Sequence, residues 1–230
     1  MKKSQKSMLR NAVTIDGPAG AGKSCVARRV ADAKGFLYVD TGAMYRAIAL
    51  RALRLKIDMQ DPGSVADTAN AARILFNDSG TRIFLDGGDV SRLIRMPDVT
   101  ECVKHVACVP AVRDLIVNKL RVFAENQPVV MEGRDISTVV LPRAKWKFFL
   151  TASIETRARR RHAEMLEAGR DVTLQRIYDD IARRDDSDYE VGPMKEARDR
   201  ALNGDGIFYL DTSDMNPTQV VAAMLKEMES

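Results

Sequence analysis

Gly17-Pro18-Ala19-Gly20-Ala21-Gly22-Lys23-Ser24 carries the residue types and spacing of a polyphosphate-binding loop. The stretch fits the pattern G-x-x-x-x-G-K-[ST]. Glycines let the backbone wrap an anion so that successive N–H groups point inward. A helix beginning near Lys23 presents its unpaired N–H groups and positive dipole end to the same anion. Lys23 is expected to reach the β- and γ-phosphates of a nucleoside triphosphate, and the Ser24 hydroxyl to bind Mg²⁺. Cys25, in the first helical turn, closes the stretch expected to contact the donor and is read as a small packed residue.

The elements around the loop give it its meaning. A short apolar strand (Ala12–Asp16) precedes it and a helix (Lys23–Lys34) follows, a context that an ordinary glycine-rich turn lacks. Further strands are expected at Phe36–Asp40, Val129–Glu132, Lys145–Leu150 and Ile207–Asp211. Helices are expected at Met44–Leu55, Pro110–Glu125, Ile154–Ala168 and Pro217–Met228. Such alternation is the pattern of a parallel α/β sheet. Pro62 to Val109 departs from it, with a helical stretch to Phe76, a turn at Asn77–Gly80 and a strand at Thr81–Leu85, so it reads as an inserted lobe. Glu155 to about Pro193 is dense in both charges and poor in apolar residues after Ile181. It is expected to be a mobile, solvated lid.

Charged and polar groups recur at the carboxyl ends of these strands, where α/β folds bind ligands. After the second strand come Asp40, Thr41, Tyr45 and Arg46. Asp40 or Thr41 suits a helix N-cap, and Arg46, a turn later, suits bidentate grip of a phosphate. Glu132-Gly133-Arg134-Asp135 follows the third strand. Arg134 is a candidate for a second phosphate, Asp135 for a base or sugar, and Glu132 for a second Mg²⁺ ligand. Arg157, Arg160 and Arg161 share one helix face. They are either a solvated basic face or the charges that neutralise a transferring phosphoryl group. Asp211-Thr212-Ser213 either borders the donor base or forms a cap preceding the last helix.

Bulk properties narrow the class. The chain has 230 residues, enough for a substantial core, and a net charge of +4. Cys25, Cys102, Cys108, His105 and His162 have no metal-ligand spacing. No zinc site is expected, and the odd cysteine count suggests a reducing, cytoplasmic setting. No apolar run is long enough to span a bilayer. Residues 1–10 are basic without an apolar signal region and are expected to form a disordered extension.

Taken together, these blocks resemble the bacterial cytidylate kinases of the nucleoside monophosphate kinase family. The matching stretches are Ile15–Ser24, Asp40–Arg46, Asp89-Val90-Ser91 with Ile94-Arg95, Val112-Arg113, Glu132–Pro142, Arg157–Arg161 and Asp211–Ser213. They run in the family's order through nearly the whole chain. The resemblance implies an α/β P-loop kinase with a five-stranded parallel sheet flanked by helices. It implies one domain over 1–230, a monophosphate-binding lobe at about 57–110 and a lid at about 155–193. It also implies transfer of the ATP γ-phosphate to CMP or dCMP with Mg²⁺. By the same carry-over, Arg46 and Arg134 hold the acceptor phosphate, and Arg113 with Asp135 reads cytosine. Thr41 and Tyr45 join the acceptor-binding residues.

Three positions differ from the family pattern. Lys104 stands where a serine near the base is usual, and Ser137 replaces a glycine. In Asp186-Ser187-Asp188-Tyr189 the tyrosine takes the place of an arginine, with spacing back to Arg184-Asp185 about two residues short. The acceptor-sugar role is therefore open between Arg183 and Arg184, and between Asp186 and Asp188. Arg184, Asp186, Asp188 and Lys104 are the candidates carried forward. Tyr189 is expected to face the acceptor with a neutral hydroxyl where relatives have a fixed charge, so that Tyr189→Arg would tighten CMP binding.

Rival readings are a small-molecule P-loop kinase for shikimate or another nucleotide, a GTPase switch, and an arginine-rich nucleic-acid binder. The long insertion and Gly-Arg-Asp block count against the first, and the missing Asn-Lys-x-Asp block against the second. Absent aromatic interleaving and a continuous basic stripe count against the third. The expected protein is a monomer with small-molecule substrates and neither nucleic-acid nor membrane partners.

Overall fold

The computed structural model describes residues 11–77, 79–167, 169–190 and 194–229. The basic extension expected over residues 1–10 lies outside these, as does the end of the proposed lid at Val191–Pro193. Five strands form one sheet: β1 (Ala12–Asp16), β2 (Leu37–Asp40), β6 (Val129–Gly133), β7 (Trp146–Thr151) and β8 (Phe208–Asp211). Their order is β2-β6-β1-β7-β8. β1 runs parallel to β7, with Val13 opposite Trp146 and Asp16 opposite Phe149, and β7 runs parallel to β8. Every residue of β1 is buried, as a central parallel strand covered on both faces requires. The five-stranded α/β architecture expected from the sequence is thus present, its strand limits within a residue of expectation.

Two compact units make up the chain: residues up to Phe36 with Val130 onward, and Leu37–Val129. The first holds α1 (Lys23–Lys34), α6 (Ile154–Glu167), α7 (Leu174–Glu190), α8 (Met194–Leu202) and α9 (Pro217–Glu229). α9 packs on α1 and buries Val220, Met224 and Met228. α6 and α7 close on Ala158, Ile177 and Ile181, with Ile154, Met165, Val172 and Tyr178 around them. Ile177 and Ile181 are one helical turn apart and form an apolar stripe within a charged sequence. The stretch from Glu155 is therefore two packed helices, of which the sequence suggested only the first.

The second unit contains α2 (Thr41–Arg54), α3 (Pro62–Asn70), α4 (Pro97–Ala107) and α5 (Pro110–Asn126). α2 starts earlier than expected because Asp40 caps it, accepting the Ala43 N–H at 3.0 Å. The expected helix from Pro62 to Phe76 is corrected. It ends at Asn70, and Ile74–Phe76 forms β3, paired antiparallel with β4 (Ile83–Leu85); β5 (Gly88–Asp89) completes this small sheet. Ile74, Ile83 and Leu85 turn inward. Three apolar residues give too short a pattern to separate helix from strand, and the partner strand decides.

Candidate active site

The glycine loop connects β1 to α1. Gly17 has φ 147°, and a Cβ there would lie 2.0 Å from the Leu150 carbonyl oxygen, so no side chain fits. Gly22 is the N-cap of α1 at φ 86°, with no side-chain cap. Gly22 supplies no capping side chain, so the first N–H groups of α1 can meet an anion.

Three successive carbonyls of this loop each accept from a cation. Arg134 Nη1 donates to Gly17 O at 2.9 Å, Lys23 Nζ to Pro18 O at 2.8 Å, and Arg157 Nη1 to Ala19 O at 3.2 Å. Lys23 is 6% exposed. Burial first, then the charge of Arg134, lowers its pKa from 10.5 to about 7, with Arg184 adding to the fall and Glu132 and Asp16 opposing it. Burial and the neighbouring guanidiniums both disfavour the Lys23 charge, and a phosphate placed beside it would favour it.

Ser24 Oγ donates to Glu132 Oε1 at 2.5 Å. A hydroxyl beside a buried carboxylate offers the hard oxygen ligands Mg²⁺ accepts, and Mg²⁺ takes few protein ligands and keeps waters and phosphates for the rest. Among the described residues no group of three or more His, Cys, Asp or Glu side chains is placed to hold a metal ion. The pair thus fits Mg²⁺ better than an ion that demands an all-protein cage.

Beyond Glu132, Arg134 Nε donates to Asp188 Oδ2 at 2.9 Å. Asp135 is buried. Asp188 lies on α7, which also carries Arg184 and Asp185 on nearby turns. Arg184 keeps an exposed surface although protein atoms crowd its guanidinium; that crowding, then Arg134, pushes its pKa down, and Asp188 opposes this. Arg183 instead is exposed and pairs with Asp180. Of the four candidates, Arg184 and Asp188 thus lie near Arg134, whereas Arg183 pairs with Asp180 and Asp186 is exposed.

Arg157, Arg160 and Arg161 differ more than one shared helix face suggests. Arg157 is buried and grips Asp185. Arg160 donates to Thr212 Oγ1 at 3.0 Å and to the carbonyls of Thr212 and Met215 at 2.6 and 3.1 Å. Arg161 is exposed beside Glu164. Asp211 accepts from the Ser213 N–H and hydroxyl, making the turn after β8 that Arg160 holds. Cys25, expected to be packed, is exposed, because the first turn of α1 directs it away from the core side marked by Val26 and Ala27.

Tyr189 does not occupy the position expected of it. It packs against Phe149, Met194 and Ala197, hydrogen-bonds Thr151, and carries the Arg198 guanidinium 4.7 Å from its ring centroid. It is a half-buried packing residue.

In the other unit, Arg46 Nη1 donates to Thr100 Oγ1 at 2.7 Å and to Ile94 O at 3.3 Å. Arg95 pairs with Asp40. Arg113 hydrogen-bonds the Tyr45 hydroxyl, whose pKa is raised by burial and pulled back by that guanidinium. Thr41 is buried at the start of α2, and Lys104 is exposed on α4. In this unit Tyr45 thus meets Arg113, Arg46 meets Thr100, and Arg95 meets Asp40.

Sequence reasoning missed Asp16 and Asp185. Asp16 is fully buried at the end of β1 and accepts from the Ile136 and Ser137 N–H groups and the Ser137 hydroxyl. Burial raises its carboxyl, while those donors and Lys23 pull it back. An aspartate closing a strand otherwise made of Ala12, Val13, Thr14 and Ile15 is the available signal.

A family model described as cytidylate kinase matches residues 13–230. The chain is 45% identical over 211 residues to a cytidylate kinase of Caldanaerobacter subterraneus subsp. tengcongensis, covering 91% of this chain and 90% of that protein. It is 46% identical over 220 residues to a cytidylate kinase of Desulforamulus reducens, covering 94% and 96%. A third, from Symbiobacterium thermophilum, is 48% identical over 183 residues, covering 78% and 81%.

Proposed function

Because the chain belongs to the cytidylate kinase family, we propose that it transfers the γ-phosphoryl group of ATP to CMP or dCMP, giving ADP and CDP or dCDP. The observation that carries this reading is the electropositive neighbourhood of Lys23, Arg134 and Arg184 beneath an uncapped glycine loop. The loop from Gly17 to Cys25 cradles the donor polyphosphate with the backbone N–H groups of its residues other than Pro18, and Lys23 contacts its terminal phosphates. Ser24 and Glu132 would hold Mg²⁺. A bound Mg²⁺ supplies charge neutralisation across the donor phosphates.

The acceptor phosphate is already an anion near neutral pH, so no strong general base is needed. Catalysis is then positioning and charge neutralisation. In the Leu37–Val129 unit, Arg46 is assigned to the acceptor phosphate, and Tyr45 with Arg113 to the base end. Thr41 and Lys104 complete that unit's contribution. In the other unit, Arg134 serves the phosphate, Asp135 the base, and Arg184 with Asp188 the sugar side; Asp186 is the weaker candidate. Arg157, Arg160 and Arg161 neutralise the transferring group, which requires Arg157 and Arg160 to exchange present protein partners for phosphate oxygens. The α6–α7 segment is assigned as the lid and the Leu37–Val129 unit as the monophosphate-binding lobe.

We place this activity in the cytoplasm, carried by a monomer. No described helix is long and apolar enough to cross a membrane, and the three cysteines are free. An ADP-release assay with CMP, dCMP, UMP, AMP and shikimate as acceptors tests the reading. CMP and dCMP should turn over well and shikimate not at all; preference for AMP or shikimate overturns it.

A further inference from the structure

Asp16 has no role in the reaction as described, yet this residue at the start of the donor loop is hydrogen-bonded to the turn that follows Asp135. Oδ1 accepts the Ile136 N–H at 2.7 Å; Oδ2 accepts the Ser137 N–H at 2.8 Å and the Ser137 hydroxyl at 2.5 Å. Both oxygens of the carboxyl group thus accept from consecutive backbone N–H groups, which hold it in a nest. All of these donors begin a π-helical turn, Ile136–Val140. The Val140 N–H reaches Asp135 O at 3.3 Å, and the Leu141 N–H reaches Ile136 O at 2.7 Å. Such turns are rare and recur at functional sites, where they re-aim the backbone.

The same two segments are joined a second time, through Arg134 Nη1 and the Gly17 carbonyl. One connection starts from Asp16 and the other from Gly17, adjacent residues at the mouth of the phosphate loop. The turn they hold begins directly after Arg134 and Asp135. Asp16 and Ser137 are both inaccessible to solvent, so neither can touch a nucleotide.

We propose that Asp16 and Ser137 are positioning residues that set the register between the donor loop (Lys23, Ser24) and the turn presenting Arg134 and Asp135 to the acceptor. This rests on the acceptor role assigned above to Arg134 and Asp135. Phosphoryl transfer needs donor and acceptor oxygens aligned to within a fraction of an ångström, and small misplacements cost rate before they cost binding. Ser137, where a glycine would offer no hydroxyl, adds the third bond and stiffens the connection.

The test is steady-state kinetics of the full chain and its variants, with ATP and CMP varied in turn well below each variant's Tm. Ser137→Ala leaves two backbone bonds and should fold. It is expected to lower kcat about tenfold while both KM values stay within about twofold. Asp16→Asn turns an amide N–H₂ toward a backbone donor and should lower kcat about a hundredfold. The double variant should lose no more than Asp16→Asn alone, since the Ser137 hydroxyl acts only through that carboxylate.

A lowered Tm with wild-type kcat and KM in Ser137→Ala overturns the proposal, because it shows a structural bond only. A raised KM for CMP at unchanged kcat overturns it as well, since the hydroxyl would then serve uniform acceptor binding. If Asp16→Asn does not fold, Ser137→Ala decides alone. Absence of CMP and dCMP turnover in the wild-type chain removes the functional reading and this proposal with it; wild-type turnover with an unaffected Ser137→Ala removes this proposal only.

Discussion

Arg157 and Asp185 form a two-pronged ion pair, Nη1 to Oδ1 at 3.1 Å and Nη2 to Oδ2 at 2.5 Å. The side chains are 5% and 13% exposed. The same guanidinium donates through Nε to Ala152 O at 2.9 Å and through Nη1 to Ala19 O. One arginine thus ties α6 to α7, to the end of β7 and to the phosphate loop. An arginine fork is suited to this because its donors are fixed in one plane.

Breaking that pair should be costly in a particular way. Asp185→Ala leaves the Arg157 charge buried without its counter-ion and should reduce stability by about 3 kcal/mol. Replacing both residues, as Arg157→Met with Asp185→Leu, should recover a large part of the loss. Urea denaturation of Asp185→Ala, of the single variants Arg157→Met and Asp185→Leu, and of their double variant measures this. Additive losses in the double variant contradict the coupling.

Lys23 predicts a pH dependence. Its folded-state pKa of about 7 lies below the 10.5 of an unpaired lysine. Below pH 7 the residue is protonated whether the chain is folded or not, so it contributes no slope. Between the two values only the unfolded chain holds the proton, and stability rises with pH. A bound triphosphate favours the protonated form, so ATP binding above pH 7 takes up a proton and weakens as pH rises. Measured Kd values for ATP should increase severalfold from pH 7 to 8.5 in the wild type and stay nearly flat in Lys23→Ala. Turnover of that variant should fall by roughly two to three orders of magnitude.

The parts of this site that were legible in the sequence are contiguous. Gly17 to Ser24 carry their geometry in their own residue types, and a buried strand before them and a helix after them complete a contiguous pattern. What escaped notice depends on partners far along the chain. Asp16 is explained by Ser137, and Arg157 by Asp185; no local pattern joins either pair. The α7 stripe of Ile177 and Ile181 was hidden by the charges between them. Ile74–Phe76 took its form from β4.

Glu132 yields a test of the assigned Mg²⁺ position. Its carboxylate accepts the Ser24 hydroxyl at 2.5 Å. Glu132→Gln keeps size and one acceptor oxygen but removes the charge that favours a divalent cation. The Mg²⁺ concentration giving half-maximal rate at fixed ATP should rise by about tenfold, one charge-assisted contact's worth. An unchanged Mg²⁺ requirement with a reduced Lys23 pKa would instead make Glu132 a counter-ion of Lys23 alone.

Tyr189 reverses an expectation drawn from the family pattern. Tyr189→Arg was expected to supply a cation to the acceptor and lower the KM for CMP. The side chain instead lies against Phe149, Met194 and Ala197, with Arg198 over its ring. An arginine there must bring a charge into a packed apolar cluster beside another guanidinium, while the hydrogen bond to Thr151 is lost. Tyr189→Arg should therefore destabilise the chain by about 2–3 kcal/mol. Tyr189→Phe keeps the ring and loses only the hydroxyl, at about 1 kcal/mol. KM for CMP should stay within about twofold in both variants at temperatures where they are folded, because no acceptor contact is removed. Thermal melts read the first effect and acceptor titrations the second. A stable Tyr189→Arg variant with a severalfold lower KM for CMP would show that residue 189 faces the acceptor after all.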